Sequence, residues 1–254
     1  MTSITASMLA TGKYSDLLIK CKGKQFKVHR AVVCLQSRPL AAAIDGNFKE
    51  AITGEIDLDG NEPDIVECML KLMYNRDYSD GHESDTVTTL STAAQNARPT
   101  RSSPPSSATA SGSAIASADK GALLTNTMVY IIGDQLQIPD LKMLAKKKFE
   151  EVVTDRWNSG SFVAGLKLLY KETLENDPSM KDIAVKTAGE HVKDLCDRGE
   201  FVALCKEEGE IAFDVLKASL TAKATGQAYP NCGSIYNVYR KWKLRYSDCG
   251  ININ

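Results

Sequence analysis

Catalysis needs a nucleophile or base held beside a partner, and this chain offers few such groupings. Its histidines, His29, His82 and His191, are spread along the sequence, with no nucleophile motif and no Gly-rich phosphate loop to assemble with them. His29 reads as a capping or hydrogen-bonding residue, because no partner for a base or a metal ligand accompanies it. His191 falls on an apolar helical stripe and reads as a core residue. Seven cysteines, an odd number scattered from Cys21 to Cys249, read as small buried hydrophobes rather than a disulfide framework. Near the end, Cys232 and Cys249 sit in NCG and DCG turns. Tetrahedral zinc needs four ligands and no His lies nearby, so one chain does not close a site; a four-cysteine site shared by two chains is the alternative to a metal-free tail. Arg240, Lys241, Lys243 and Arg245 stand among aromatics, the kind of patch that contacts nucleic acid. Four charges on an otherwise neutral protein are a weak footprint. The expectation is a chain that is not an enzyme and needs no cofactor.

Composition supports a binding role. The 254 residues suffice for a real core, and 43% hydrophobic with 25% charged residues excludes collagenous, wholly disordered and membrane classes. With 31 basic and 32 acidic residues the net charge is −1, so no overall field gathers phosphate backbones. Met1 to Thr11 carries no basic residue ahead of its apolar patch, unlike a secretory signal, and the expected location is intracellular, in cytoplasm or nucleus.

The elements that must position any site follow from periodicity. Leu17, Ile19 and Cys21 alternate with polar or outward residues, Gly23 marks a turn, and Phe26 and Val28 resume the alternation: strand, turn, strand. Ala31 to Ile44 predicts two short helices, the second capped by Ser37 with Pro39 in its first turn. Ile56 and Leu58 predict a short strand. Pro63 then opens a helix in which Ile65, Cys68, Met69, Leu72 and Met73 recur at helical spacing, with Val66, Leu70 and Tyr74 widening the stripe until it is buried nearly all round. Residues 99–118 leave Ile115 as the only bulky apolar side chain, and 79–120 reads as a flexible insertion rich in Ser, Thr, Pro and Ala. Beyond it, 123–136 and the run Leu141, Leu144, Ala145, Phe149, Val152 predict a helical hairpin punctuated by Pro139. Further helices are predicted by Phe162, Leu166, Leu169 and Tyr170; by Ala184, Thr187, Ala188, His191, Val192 and Leu195; and by Ile211, Ala212, Val215, Leu216 and Leu220. Val238, Trp242, Leu244 and Tyr246 suit a short hairpin. No internal repeat occurs at a fixed period.

This order is an α+β arrangement, helices clustered against a small sheet. The run SDLLIKCKGKQFKVHRAVVCLQSRPLAAAI, then NFKEAITGEIDLDG, then a helix ending in KLMYN, resembles the BTB/POZ domain, and YIIGDQLQIPDLKMLAKKKFE resembles that family's closing helical hairpin. The likeness is strongest to BTB proteins of filamentous fungi. It implies a BTB/POZ fold with its first part at 13–78 and closing helices at 121–156, split by the insertion at 79–120, then a helical C-terminal extension at 157–225 and a degenerate ribbon-like tail at 226–254. Related fungal proteins end in paired Cys-x-x-Cys turns; here Tyr229 and Tyr246 stand where each first cysteine would be, leaving Cys232 and Cys249 as a remnant.

What the resemblance implies functionally is protein binding. Asp16 and Arg30 match the positions that line a charged pocket at the family's dimer interface, read either as that pocket or as an ordinary structural ion pair. Phe48, Lys49 and Glu50 match the hydrophobic–x–Glu element with which family adaptors bind a cullin scaffold of an E3 ubiquitin ligase, the aromatic filling a partner pocket and the carboxylate fixing orientation. The plainer reading is that Phe48 covers the domain's own core. The expected action is self-association, possible homodimer formation and recruitment of protein partners, a cullin among them. A nucleic-acid-associated transcriptional regulator is the alternative.

Overall fold

The computed structural model describes residues 4–81, 121–173, 177 and 179–224. A three-stranded sheet in the order β2-β1-β3 forms its first layer. Strand β1 (Leu17–Cys21) pairs antiparallel with β2 (Lys24–Val28) and parallel with β3 (Glu55–Asp57). Lys22 and Gly23 both take positive φ, 44° and 82°, the mirror-image two-residue turn whose twist suits a hairpin. Period-2 burial follows: Leu17, Ile19 and Cys21 face the core while Leu18 and Lys20 are half-exposed.

Helices cover that sheet. After α2 (Arg30–Val33), Ser37 caps α3 (Arg38–Asp45) by accepting from the Leu40 N–H, as the sequence predicts. A single turn, α4 (Lys49–Thr53), leads into β3, and α5 (Pro63–Asn75) is buried around most of its circumference, from Ile65 and Val66 to Met73 and Tyr74. A fully buried Leu, Ile or Met contributes about 1.5–3 kcal/mol, so α5 is the hydrophobic pivot of the domain.

The halves on either side of the insertion join directly. Ser37 is wholly buried and donates its hydroxyl to the Leu136 carbonyl at 2.7 Å, at the end of α6 (Ala122–Gln135). Tyr78 donates to the Asn126 side-chain oxygen at 2.7 Å, and the Asn126 amide donates to Asp80 at 2.7 Å. Arg76 reaches Asp140 of α7 (Pro139–Arg156) at 3.1 Å. The buried side chains of Ser37, Tyr78 and Asn126 thus each have a partner, as a low-dielectric junction demands.

A helical region follows: α8 (Gly160–Glu172), α9 (Ser179–Glu190), α10 (Val192–Cys196), α11 (Gly199–Glu207) and α12 (Gly209–Ala224). Its core residues Phe162, Leu166, Met180, Phe201 and Ile211 belong to the same hydrophobic cluster as Leu17 and Met69. Among the described residues no helix is long and apolar enough to cross a membrane.

Four details depart from the expectations set by periodicity. A first helix, α1 (Ile4–Thr11), precedes the expected start of the fold and packs on α5, with Thr5 donating to the Tyr74 carbonyl at 2.6 Å. Helix α11 has no counterpart among the predicted helices. The helix drawn through Ala184 to Leu195 breaks at His191, which is not a core residue: it is half-exposed and stacks on Trp157, ring centroids 3.8 Å apart and planes 6° from parallel. Finally, Leu216 and Leu220 face solvent, whereas Ile211, Val215 and Ser219 are buried. The close approach of α9 and α12 at Gly189 decides this, because a Cβ there would meet Ala218 at 2.7 Å, and the face containing residues 218 and 219 is turned inward.

Candidate partner-binding site

Helix α3 ends at Gly46, whose N–H donates to the Ala42 carbonyl at 3.0 Å. A Cβ at residue 46 would lie 2.7 Å from that carbonyl and 2.8 Å from the Phe48 ring. The ring therefore leans back over bare backbone, and little else covers it. Phe48 is 62% exposed, and so does not cover the domain's own core. It occupies the N-cap position of α4, where Ala51 N–H donates to its carbonyl at 3.2 Å. Lys49 is exposed and Glu50 half-buried, and the Glu50 carboxylate bonds no described residue. One turn beyond Phe48, Ile52 is 87% exposed; Leu35, between α2 and α3, is 86% exposed. Sequence reasoning did not single out these two. The i, i+4 spacing of Phe48 and Ile52 was the available signal.

Backbone geometry fixes the end of this turn. Gly54 has φ +66°, a left-handed conformation that an L side chain adopts at a cost, and its N–H donates to the Glu50 carbonyl at 2.9 Å. The Arg30 guanidinium lies 3.5 Å from where a Gly54 Cβ would be. Arg30 and Asp16 do meet, but each through a backbone group of the other rather than as a side-chain ion pair. The Asp16 carboxylate accepts from the Arg30 backbone N–H at 2.8 Å, while Arg30 Nε donates to the Asp16 backbone carbonyl at 3.2 Å. The physical reason is that Arg30 opens α2, where a free N–H is the nearest donor for the carboxylate.

His29 performs the hydrogen-bonding role expected of it. Buried at the junction of β2 and α2, it donates its backbone N–H to the Tyr74 hydroxyl at 2.8 Å, and its Nδ1 is 2.8 Å from the same hydroxyl. Its Nε2 is 2.8 Å from the Lys13 carbonyl, which only accepts, so the proton sits on Nε2 and Nδ1 takes the tyrosine proton.

A second polar cluster ties the hairpin to the helical region. Lys142 donates to Asp134 at 2.6 Å and to Asp177, and Tyr130 donates to Asp177 at 2.7 Å. Burial pushes the Lys142 ammonium down, yet the two carboxylates together outweigh it and hold its pKa above the ordinary lysine value. Burial likewise favours a neutral Asp177, and Lys142 with Tyr130 overcomes it, lowering that carboxyl below 3.8.

Nothing in these surroundings gathers reactive groups. Burial pushes the Cys68 thiol up to about 11 and raises Cys21, Cys34 and Cys205 as well, leaving protonated sulfurs that are poor nucleophiles. An open cavity of about 910 Å³ between α9 and α12 is lined by Lys181, Asp182, Lys186 and Asp214 and contains neither Cys nor His. Among the described residues no group of His, Cys, Asp and Glu is placed to hold a metal ion. Cys232, Cys249, Tyr229, Tyr246 and the basic run Arg240 to Arg245 lie outside the described residues, as do His82 and most of the insertion.

The family model for the BTB/POZ domain matches residues 6–96. The match begins inside α1, so that helix belongs with the sheet it flanks. Among curated proteins, none matches the chain.

Proposed function

From the match of residues 6–96 to the BTB/POZ domain, a protein-interaction module, we propose that the chain recruits a second protein through the surface around Phe48 and that this partner is a cullin-type scaffold of a ubiquitin ligase. The observation that carries the reading is the exposure of Phe48 beside a Glu50 carboxylate that bonds no described residue. An aromatic anchor of this kind gains energy only when a partner pocket removes it from water. Calorimetry of the purified chain with a cullin N-terminal domain tests it. Phe48→Ala and Glu50→Ala are each expected to weaken binding at least tenfold, about 1.4 kcal/mol. A folded wild-type protein that does not bind overturns the cullin reading.

Self-association is the second part of the proposal. It is supported by the exposure of Ile4 on α1 and of Tyr14 just beyond it, two large apolar residues at 82% and 80%. Light scattering on the same samples is expected to give a mass above that of one chain, reduced to one chain by Ile4→Glu with Tyr14→Asp. A mass of one chain for the wild type across the concentration range removes this part and leaves the docking reading standing.

A further inference from the structure

Strand β2 is an edge of the sheet. The two-residue turn makes Cys21 and Lys24 a hydrogen-bonded pair; alternation then makes Ile19–Phe26 and Leu17–Val28 bonded pairs, and the backbone N–H and C=O groups of Gln25 and Lys27 point away from β1. Among the described residues these groups bond nothing. Beside this edge runs an open groove of about 470 Å³, with apolar lining from Leu9 and Ala10 of α1, Phe26 of β2 and Leu70 of α5. Its charged residues are Lys24, Lys27, Glu67 and Lys71, three cations and one anion. Glu67 is shared between Lys24 at 2.6 Å and Lys71 at 2.8 Å, and Lys27 has no acidic partner among the described residues, so the rim stays positive.

We propose that this groove takes an extended acidic segment of a partner protein, which adds to β2 as a fourth strand. The edge supplies main-chain bonds to such a segment. With side chains alternating, the face of the added strand turned toward α5 lies on the apolar lining beside Phe26 and Lys24, and the opposite face brings carboxylates to Lys27. A second copy of the same strand is a poor occupant, because β2 carries Lys24 and Lys27 and no carboxylate to meet the positive rim. The site is separate from Phe48 and does not depend on the cullin reading.

The test uses fluorescence anisotropy on the full chain with a labelled, acetylated seven-residue peptide alternating Glu and Val. A Lys-for-Glu version and an acidic version N-methylated at alternate amides serve as controls. The expected result is saturable binding of the acidic peptide, at least tenfold weaker to Lys24→Glu/Lys27→Glu, absent for both control peptides, and unchanged by Phe48→Ala. Lys27→Glu alone, which disturbs no bond within the protein, is expected to weaken binding measurably. No saturation up to about 1 mM peptide with folded wild-type protein overturns the proposal. Equal binding of the N-methylated peptide, or equally strong competition by an oligonucleotide, overturns it too, since either shows charge attraction without strand addition.

Discussion

Tyr74 and His29 satisfy one another so completely that removing one hydroxyl should be felt. Tyr74→Phe leaves the His29 N–H and Nδ1 without partners in a buried place, and urea unfolding is expected to show a loss of about 1–3 kcal/mol with an unchanged m-value. Ser37→Ala removes both a cap and the bond to Leu136, and about 1–2 kcal/mol is expected by the same measurement. Sequence disclosed one side of each arrangement. The position of His29 between strand and helix suggested a hydrogen-bonding role, and Ser37 before Pro39 read as a cap. The partners Tyr74 and Leu136 stand 45 and 99 residues away, where periodicity carries no information about pairing. Asp16 and Arg30 show the same limit: which of their atoms meet depends on a free N–H that only the folded turn reveals.

Among the elements, the Lys142 cluster holds Asp177 against α6 and α7, and its charges make that attachment depend on pH. Asp177 has a lowered pKa in the folded chain, so its stabilising effect is complete above 3.8 and is lost as pH falls through the folded value. Lys142, raised, acts in the opposite sense: its effect is complete below 10.5 and fades as pH rises through its folded value. Thermal melts of wild type and Asp177→Asn are therefore expected to differ at pH 6 and to converge on acidification below about pH 3.8. Convergence at higher pH would assign the effect to another group. Helices with one strong apolar stripe, such as α5, are legible from residue spacing alone. Helix α12 is not, because apolar side chains lie on both of its faces and only the contact at Gly189 decides which is buried. Helix α1 escapes notice for a related reason: it buries no residue completely, so its short run lacks a clear stripe.

Over the whole molecule, one hydrophobic cluster runs from Leu17 to Val215 through sheet, hairpin and helical region. Far-UV circular dichroism and tryptophan fluorescence are accordingly expected to report a single coincident thermal transition; separate midpoints would show that the region after α7 melts independently. Phe149→Ala, which empties a fully buried site of that cluster, is expected to lower the shared midpoint with a loss of about 3–5 kcal/mol.

The seam formed by Ser37, Asn126 and their partners also sets a timetable for synthesis. Ala122, the start of the helix that covers α5, stands 47 positions after Asn75, the end of α5. At about 5–20 residues per second a ribosome needs roughly 2–9 seconds to produce that stretch. Throughout this interval α5 is made while its cover is not, so the face of α5 that packs on α6 stays open on a newborn chain.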